Sequence, residues 1–423
     1  MTATIFANAR QVVTCAGAAS ARRGKAMADA VVREKVAVAI VGDAIAGIGP
    51  LADLRAAHTN AKEIDCSQGV LTPGLVDSHT HAIFGRARYE EQEYRAAGLD
   101  YMEIARRGGG IHSSVRDLRA RSEKELESLG EQRLRLLAAY GVTTVEVKSG
   151  YGLSLDDELK TLHVIRRLAE RLPMRIVPTF LGAHEIPLEY RESAAKRREY
   201  IEIVIHQMLP AVQQERLARF ADVFCETGVY TVPETREILT AAQSRGLALK
   251  LHADELTSCG GAELAAEIGA TSADHLAAIS TEGIKSLSGS GTVATLLPGT
   301  MSFLGKMKQA PARALIEAGV PVALATDFNP GTSPTPNFPL VMSFGLSQLK
   351  MSAHEVFIAA TVNGAAALAE AAKVGQIAEG FSADIALWDA EDFREVPYWY
   401  GDRRCRGSWV RGKACHQRDL DLA

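Results

Sequence analysis

The sequence predicts an α/β fold: a (β/α)8 TIM barrel over residues 73–372, with short strands before and after it. Three observations lead there. Apolar runs of strand length alternate with helical stretches through that interval, which is the pattern of a parallel sheet. Eight such runs can be counted, enough to close a barrel. Polar side chains able to do chemistry gather at or just past the C-terminal ends of those runs, the catalytic face of such a barrel.

Taken in order, residues 1–72 read as short strands and turns. VAVAIVGDAIAGIGP (36–50) sets two apolar runs around Gly42-Asp43, a hairpin signal. The first barrel strand lies in LTPGLVDSHTH (71–81). The next seven are TTVEVKSG (143–150), RIVPTFLGAH (175–184), ADVFCETG (221–228), LALKLHADE (247–255), TSADHL (271–276), TVATLLPG (292–299) and PVALATDFNPG (321–331). Helical stretches separate them, such as EKELESLGEQRLRLLAAYG (123–141) and DDELKTLHVIRRLAERL (156–172). GQIAEGFSADIALWDA (375–390) returns to short strands broken by Gly and Ser. No internal repeat or low-complexity tract interrupts the pattern.

Composition narrows the function. A net charge of −4 with pI near 6.3 leaves no basic surface for nucleic acid or anionic membrane. No apolar run reaches the length of a spanning helix. MTATIFANARQVVTC lacks a basic region followed by an apolar one, so no secretory signal is expected. The six cysteines are scattered with no C-x-x-C, so they read as reduced thiols of a cytoplasmic protein.

His79, His81, Lys148, His184, Glu226, His252, Glu255, His275 and Asp327 all fall at strand ends. Alternate residues of a strand share a face, so His79 and His81 point the same way and can hold one ion. His252 and Asp327 offer a third imidazole and a carboxylate, donors that zinc and iron both accept. For any one histidine alone, a satisfied core residue is the better reading, and a bare H-x-H is weak. Four such groups at strand ends of one barrel point to metal.

PGLVDSHTH, a later strand-end His and an Asp after the last strand resemble the amidohydrolase superfamily. That resemblance implies a metal-dependent hydrolase with a (β/α)8 barrel. It also implies a small β-sandwich built from both chain ends, here 1–72 and 373–423. RYEEQEYRAAGLDYMEIARRGGGIHSSV (88–115), VEVKSGYGLSLDDELK (145–160), TFLGAHEIPLEY (179–190), KLHADE (250–255) and ATDFNPGTSP (325–334) closely resemble the imidazolonepropionase family. The KSGYG and DFNPGTSP segments are far more specific than the H-x-H.

The resemblance implies hydrolysis of the ring amide of 4-imidazolone-5-propanoate to N-formimino-L-glutamate, a step of histidine degradation (EC 3.5.2.7), through hydroxide supplied at the metal. It implies one zinc or iron ion per chain, held by His79, His81, His252 and Asp327, and a homodimer. Glu255 is expected to transfer the proton, and His275 to contact the reacting oxygen or support a ligand. Asp327 also has a place in proton transfer. Arg88, Tyr101, Tyr151, His184, Glu255, Asn329, Gly331 and Thr332 are the expected substrate contacts. Arg88 suits bidentate binding of the propanoate, against a surface salt bridge with Glu90, Glu91 or Glu93. Arg86 is a competing second arginine. Asn329, Gly331 and Thr332 read as a tight turn whose amides face outward as an anion nest. Lys148 is expected as an exposed strand-end lysine or a structural ion pair rather than a bridge between two metals. GGGIHSSV (108–115) reads as a loop or lid and is no phosphate loop. Two other readings are a deaminase of a small heterocycle, with the same metal site, and an inactive scaffold, which the complete ligand set disfavours.

Overall fold

The computed structural model describes residues 3–99, 103, 104 and 107–418. Its centre is an eight-stranded parallel sheet. The strands are β1 (Leu75–Asp77), β2 (Val142–Lys148), β3 (Arg175–Ala183) and β4 (Phe220–Cys225), then β5 (Ala248–Ala253), β6 (Ser272–His275), β7 (Val293–Leu296) and β8 (Val322–Leu324). Each is one of the eight predicted runs. β2 is buried along its whole length, as a strand covered on both faces must be.

The sheet closes just beyond its strand ends. Thr80 bridges Phe328 in parallel. The Asp327 amide donates to the His79 carbonyl at 3.0 Å, and the His81 amide to the Phe328 carbonyl at 2.9 Å. The Asp77 carboxylate pins the same seam, accepting from the Thr326 amide at 3.0 Å and hydroxyl at 2.7 Å. Burial pushes the Asp77 carboxyl up to about 7 even so. Closure therefore sets the first and last strand ends side by side.

Helices pack outside. Glu123–Ala139 starts at a capping box in which Ser122 and Glu125 satisfy each other's backbone amides. Leu155–Arg171 is capped by the Ser154 hydroxyl.

Both chain ends build two further sheets. One has four strands in the order Ala44–Gly49, Ala37–Val41, Ala3–Ala7, Lys62–Asp65. The other has six, in the order Lys413–Gln417, Cys405–Val410, Ile385–Trp388, Val70–Pro73, Gln11–Val13, Val32–Glu34. Phe6, Ile40, Ile64, Leu71, Leu387 and Trp409 share one apolar core, with the Phe6 and Trp409 rings edge-on at 4.8 Å. The predicted hairpin is Ala37–Val41 paired with Ala44–Gly49. Residues 375–384 differ from expectation. Only Ile385–Trp388 forms a strand there; the Ile377, Gly380 and Ala383 amides make single bonds to the Thr14, Ile45 and Asp43 carbonyls rather than a strand ladder.

Candidate metal centre and active site

The three imidazoles and one carboxylate meet at the top of the barrel. His79 Nε2 and His81 Nε2 lie 3.3 Å apart, and His252 Nε2 lies 3.4 Å from His81 Nε2. Asp327 Oδ1 is 3.5 Å from His79 Nε2 and 3.6 Å from His81 Nε2. Four donors tetrahedrally placed about 2.0–2.1 Å from an ion stand about 3.3–3.4 Å from one another. The His79, His81 and His252 nitrogens lie close enough together to share one divalent ion, and Asp327 Oδ1 approaches that spacing from His79 and His81.

Their supports come from the neighbouring strands. His79 Nδ1 donates to Asp274 Oδ2 at 2.6 Å, and His252 Nδ1 lies 3.0 Å from Asp222 Oδ2. The Asp274 carboxylate fixes which ring nitrogen of His79 carries the proton, so that Nε2 presents its lone pair. Burial first, then the Lys148 ammonium, hold His79 far below the usual histidine range; burial and His184 do the same for His81. Neutral imidazole is the form that ligates metal. The Thr300 hydroxyl donates to Asp327 Oδ2 at 2.6 Å, which leaves Oδ1 facing the histidines.

Lys148 is fully buried, which removes the reading of an exposed strand-end lysine. Its ammonium lies 2.7 Å from Asp222, 2.8 Å from Glu146 and 3.8 Å from Asp274. Burial alone would depress its pKa; these three carboxylates outweigh burial and raise it. Lys250, equally buried, joins Glu146 and Asp274 at 3.6 Å. A compact ion network thus underlies the histidine cluster.

Glu255 lies just past β5 on a loop that Glu226 and Asp254 tie down. Glu226 accepts from the Leu256 and Thr257 amides at 2.8 and 3.3 Å, so this strand-end carboxylate is a loop anchor. Asp254 accepts four amides, from Cys259 to Ala262, and caps the helix Gly261–Glu267. Burial, then the charges of Asp327 and Glu226, hold the Glu255 carboxyl well above the usual range. His275 Nε2 lies 3.6 Å from Glu255 Oε2. His275 has φ +80° and Asp327 φ +52°, so both site residues sit in the left-handed region that non-glycine residues seldom adopt.

Arg88 and Arg86 part company. Arg86 is half exposed and pairs with Glu90. The Arg88 side chain is 8% exposed, with Nε 3.5 Å from Glu91 Oε1. Its Nε is buried and makes no hydrogen bond among the described residues. The guanidinium lies directly on Gly331: a Cβ there would stand 1.4 Å from Arg88 Nη2. The turn 329–332 is not an outward nest. The Gly331 and Thr332 amides both donate to Asn329 Oδ1 at 2.8 Å, and Asn329 Nδ2 donates to Thr332 Oγ1 at 2.8 Å. The asparagine side chain takes up the amides that were expected to face a ligand.

His184 stacks on His81 with ring centres 4.9 Å apart and planes 13° apart, and its Nδ1 donates to the Gly150 carbonyl at 2.9 Å. Burial, then His252, push its pKa down to about 3, so Nε2 is an acceptor at neutral pH. The Tyr151 ring lies 5.8 Å from His81 and 5.4 Å from His184. Tyr101 lies outside the described residues.

An amidohydrolase family model matches residues 102–416. The chain is 46% identical to an imidazolonepropionase of Bacillus velezensis, covering 98% of this chain and 97% of the relative. It is 44% identical to an imidazolonepropionase of Alkaliphilus metalliredigens, covering 92% of each. The chain belongs to the imidazolonepropionase family of amidohydrolases.

Solved structures share the fold at lower identity. A zinc-bound adenosine deaminase from Xanthomonas campestris aligns at TM-score 0.70 and 18% identity, covering 99% of this chain and 94% of that one. An ochratoxinase from A. niger aligns at TM-score 0.72 and 16% identity, covering 100% of this chain and 97% of that one.

For a member of the imidazolonepropionase family, three further residues stand out: Thr300 and Glu158, which the sequence did not flag, and Glu91, which it offered only as a surface salt-bridge partner of Arg88. Thr300 holds Asp327. Glu158 accepts the Gly150, Gly152 and Leu153 amides and so shapes the loop bearing Tyr151. Glu91 lies against Arg88. Only the place of Thr300 just beyond β7 hinted at its role; Glu158 lies in the first turn of the helix Leu155–Arg171, and its partners are amides of the preceding loop.

Proposed function

We propose that the chain hydrolyses 4-imidazolone-5-propanoate to N-formimino-L-glutamate, opening the ring at its amide. The observation that carries this is the 46% identity spanning 98% of the chain with an imidazolonepropionase. His79, His81, His252 and Asp327 hold one ion, zinc or iron. The network around Lys148 favours one ion over two, since its ammonium stands among the carboxylates that a second ion would need. When bound, such an ion lowers the pKa of water from 15.7 to roughly 7 and so makes hydroxide available at neutral pH.

The chain's own groups do the rest. Glu255, held high in pKa by burial, takes a proton from the attacking water and passes it to the ring nitrogen that leaves. His275, 3.6 Å from Glu255, steadies the carbonyl oxygen as charge develops on it. Asp327 shares in proton transfer. Arg88 binds the propanoate, and Gly331 is the bed on which its guanidinium lies. Asn329 and Thr332 hold the shape of that bed. Tyr151 and His184 line the ring's side of the pocket, with Tyr101 as a further contact. A deaminase of a neutral heterocycle has no use for a buried guanidinium of this kind, and the low-identity likeness to an adenosine deaminase speaks only for the fold.

The family resemblance also supports a homodimer, checked by sedimentation. Six free cysteines and the absence of any helix long and apolar enough to cross a membrane, among the described residues, support a cytoplasmic setting. The deciding test mixes purified protein with the imidazolone and follows loss of its ultraviolet absorbance. Turnover that needs the metal supports the assignment; a metal-loaded protein with no turnover overturns it.

A further inference from the structure

The helix Tyr89–Ala96 buries one side chain, and it is a carboxylate, Glu91. Apolar burial gives no reason for that, and a buried charge is costly unless paired. Glu91 is paired three ways. Oε1 accepts the Gly110 amide at 2.6 Å. Oε2 meets Arg95 Nη2 at 3.1 Å. Oε1 also lies 3.5 Å from Arg88 Nε. Arg95 in turn donates from Nη1 to the Gly331 carbonyl at 3.3 Å, and the Arg88 amide donates to the Pro330 carbonyl at 3.0 Å. Arg88 is therefore bracketed. The turn 330–331 supports it on one side and Glu91 faces its Nε on the other.

We propose that Glu91 is a positioning residue for substrate recognition: it sets the rotation of the Arg88 guanidinium so that the terminal nitrogens meet the substrate's carboxylate. This rests on the reading of Arg88 as the propanoate anchor. A guanidinium can swing about its long stem, and the Glu91 charge 3.5 Å from Nε, an ion pair without a hydrogen bond, biases how the fork turns. The Gly110 contact adds that the glycine-rich segment, distant in sequence, shares the same carboxylate. The opposite role is also physically definite. If Glu91 merely neutralised Arg88, it would compete with an anionic substrate, and removing its charge would tighten binding. The two roles differ in sign.

The test is Glu91→Gln, which keeps an acceptor for the Gly110 amide and removes the charge. Glu91→Asp, which keeps the charge and shortens its reach, and Arg88→Ala accompany it. KM and kcat are measured for the imidazolone propanoate, and for the same ring without its tail as alternative substrate or competitive inhibitor. Metal content is followed throughout. Positioning predicts a KM about tenfold higher for the tailed substrate in Glu91→Gln, little change in kcat or metal content, and an unchanged constant for the tailless ring. Glu91→Asp should fall between that variant and the parent. An unchanged or lower KM for the tailed substrate overturns the proposal, as does an equal loss for both rings. If Glu91→Gln does not fold, the Glu91→Asp values decide by the same criteria. If Arg88→Ala itself leaves the tailed substrate's KM unchanged, the anchor reading fails. If Arg88→Ala is selective for the tail and the Glu91 variants are not, the positioning role alone fails.

Discussion

Gly331→Ala tests the carboxylate anchor without replacing either the arginine or any residue of the metal cluster. An added Cβ would stand 1.4 Å from Arg88 Nη2, 2.0 Å from Cζ and 2.2 Å from Nε, so the guanidinium must leave its place. Only the end of a flexible side chain has to move, and Gly331 does not have positive φ, so the backbone accepts alanine. The Gly331 amide keeps its bond to Asn329. The expected loss is that of a buried charge-assisted contact, about 1.5–3 kcal/mol. At about 1.4 kcal/mol per tenfold, kcat/KM should fall roughly 10- to 100-fold, with the change in KM. Steady-state kinetics on the imidazolone propanoate, elemental analysis and a thermal melt measure this. A variant with parental KM would show that the guanidinium need not rest on Gly331 to bind substrate. A variant that also lost metal would show that the turn serves Asp327 instead.

Glu255→Gln should keep metal and fold and lose about 10²- to 10⁴-fold in kcat; near-parental turnover with full metal would move the proton to His275 or Asp327. Thr300→Val leaves Asp327 Oδ2 without its 2.6 Å donor, and metal affinity should weaken about 10- to 100-fold in competition with a chelator. Lys148→Met strands three buried carboxylates, so denaturant unfolding should report a loss of about 3–5 kcal/mol, whereas Arg86→Ala, at an exposed pair, should leave the unfolding midpoint unchanged.

The barrel was legible because its signals are local. Strand-length apolar runs, helical stretches and the H-x-H at a strand end can all be seen in short windows. The meeting of His79 with Asp327 was legible only once a closed barrel was assumed, since the seam that joins them pairs residues from opposite ends of the barrel sequence. What stayed hidden depends on partners that no window contains. Lys148 read equally well as exposed or paired, because Asp222 reaches it from another strand. Asn329 read as part of a nest, because nothing in NPGTS says that the side chain claims the amides for itself. Glu91 read as one of several surface glutamates; its burial is set by where the helix lies against Arg88 and Gly110.

Charge beneath the metal site makes a last prediction. Glu146, Asp222 and Asp274 carry three formal negative charges against the two positive charges of Lys148 and Lys250, all fully buried. Asp327 brings the excess to two, which is what one divalent ion neutralises. With the ion removed, burial pushes the Asp327 carboxyl up to about 6, against about 3.9 in an unfolded chain. A raised folded-state value means that the metal-free folded protein binds a proton there that the unfolded chain has released. This group's stabilising share is full below about pH 4 and is lost as pH rises through about 6. In the loaded protein Asp327 stays ionised as a ligand, and no such share exists. The gap in melting temperature between loaded and chelated protein should therefore widen from pH 5 to pH 8, with both measured in the same buffer and salt. Replacing Asp327 by Asn should remove most of that widening. An equal gap at the two pH values would mean that Asp327 is not where the metal-free protein relieves its buried charge.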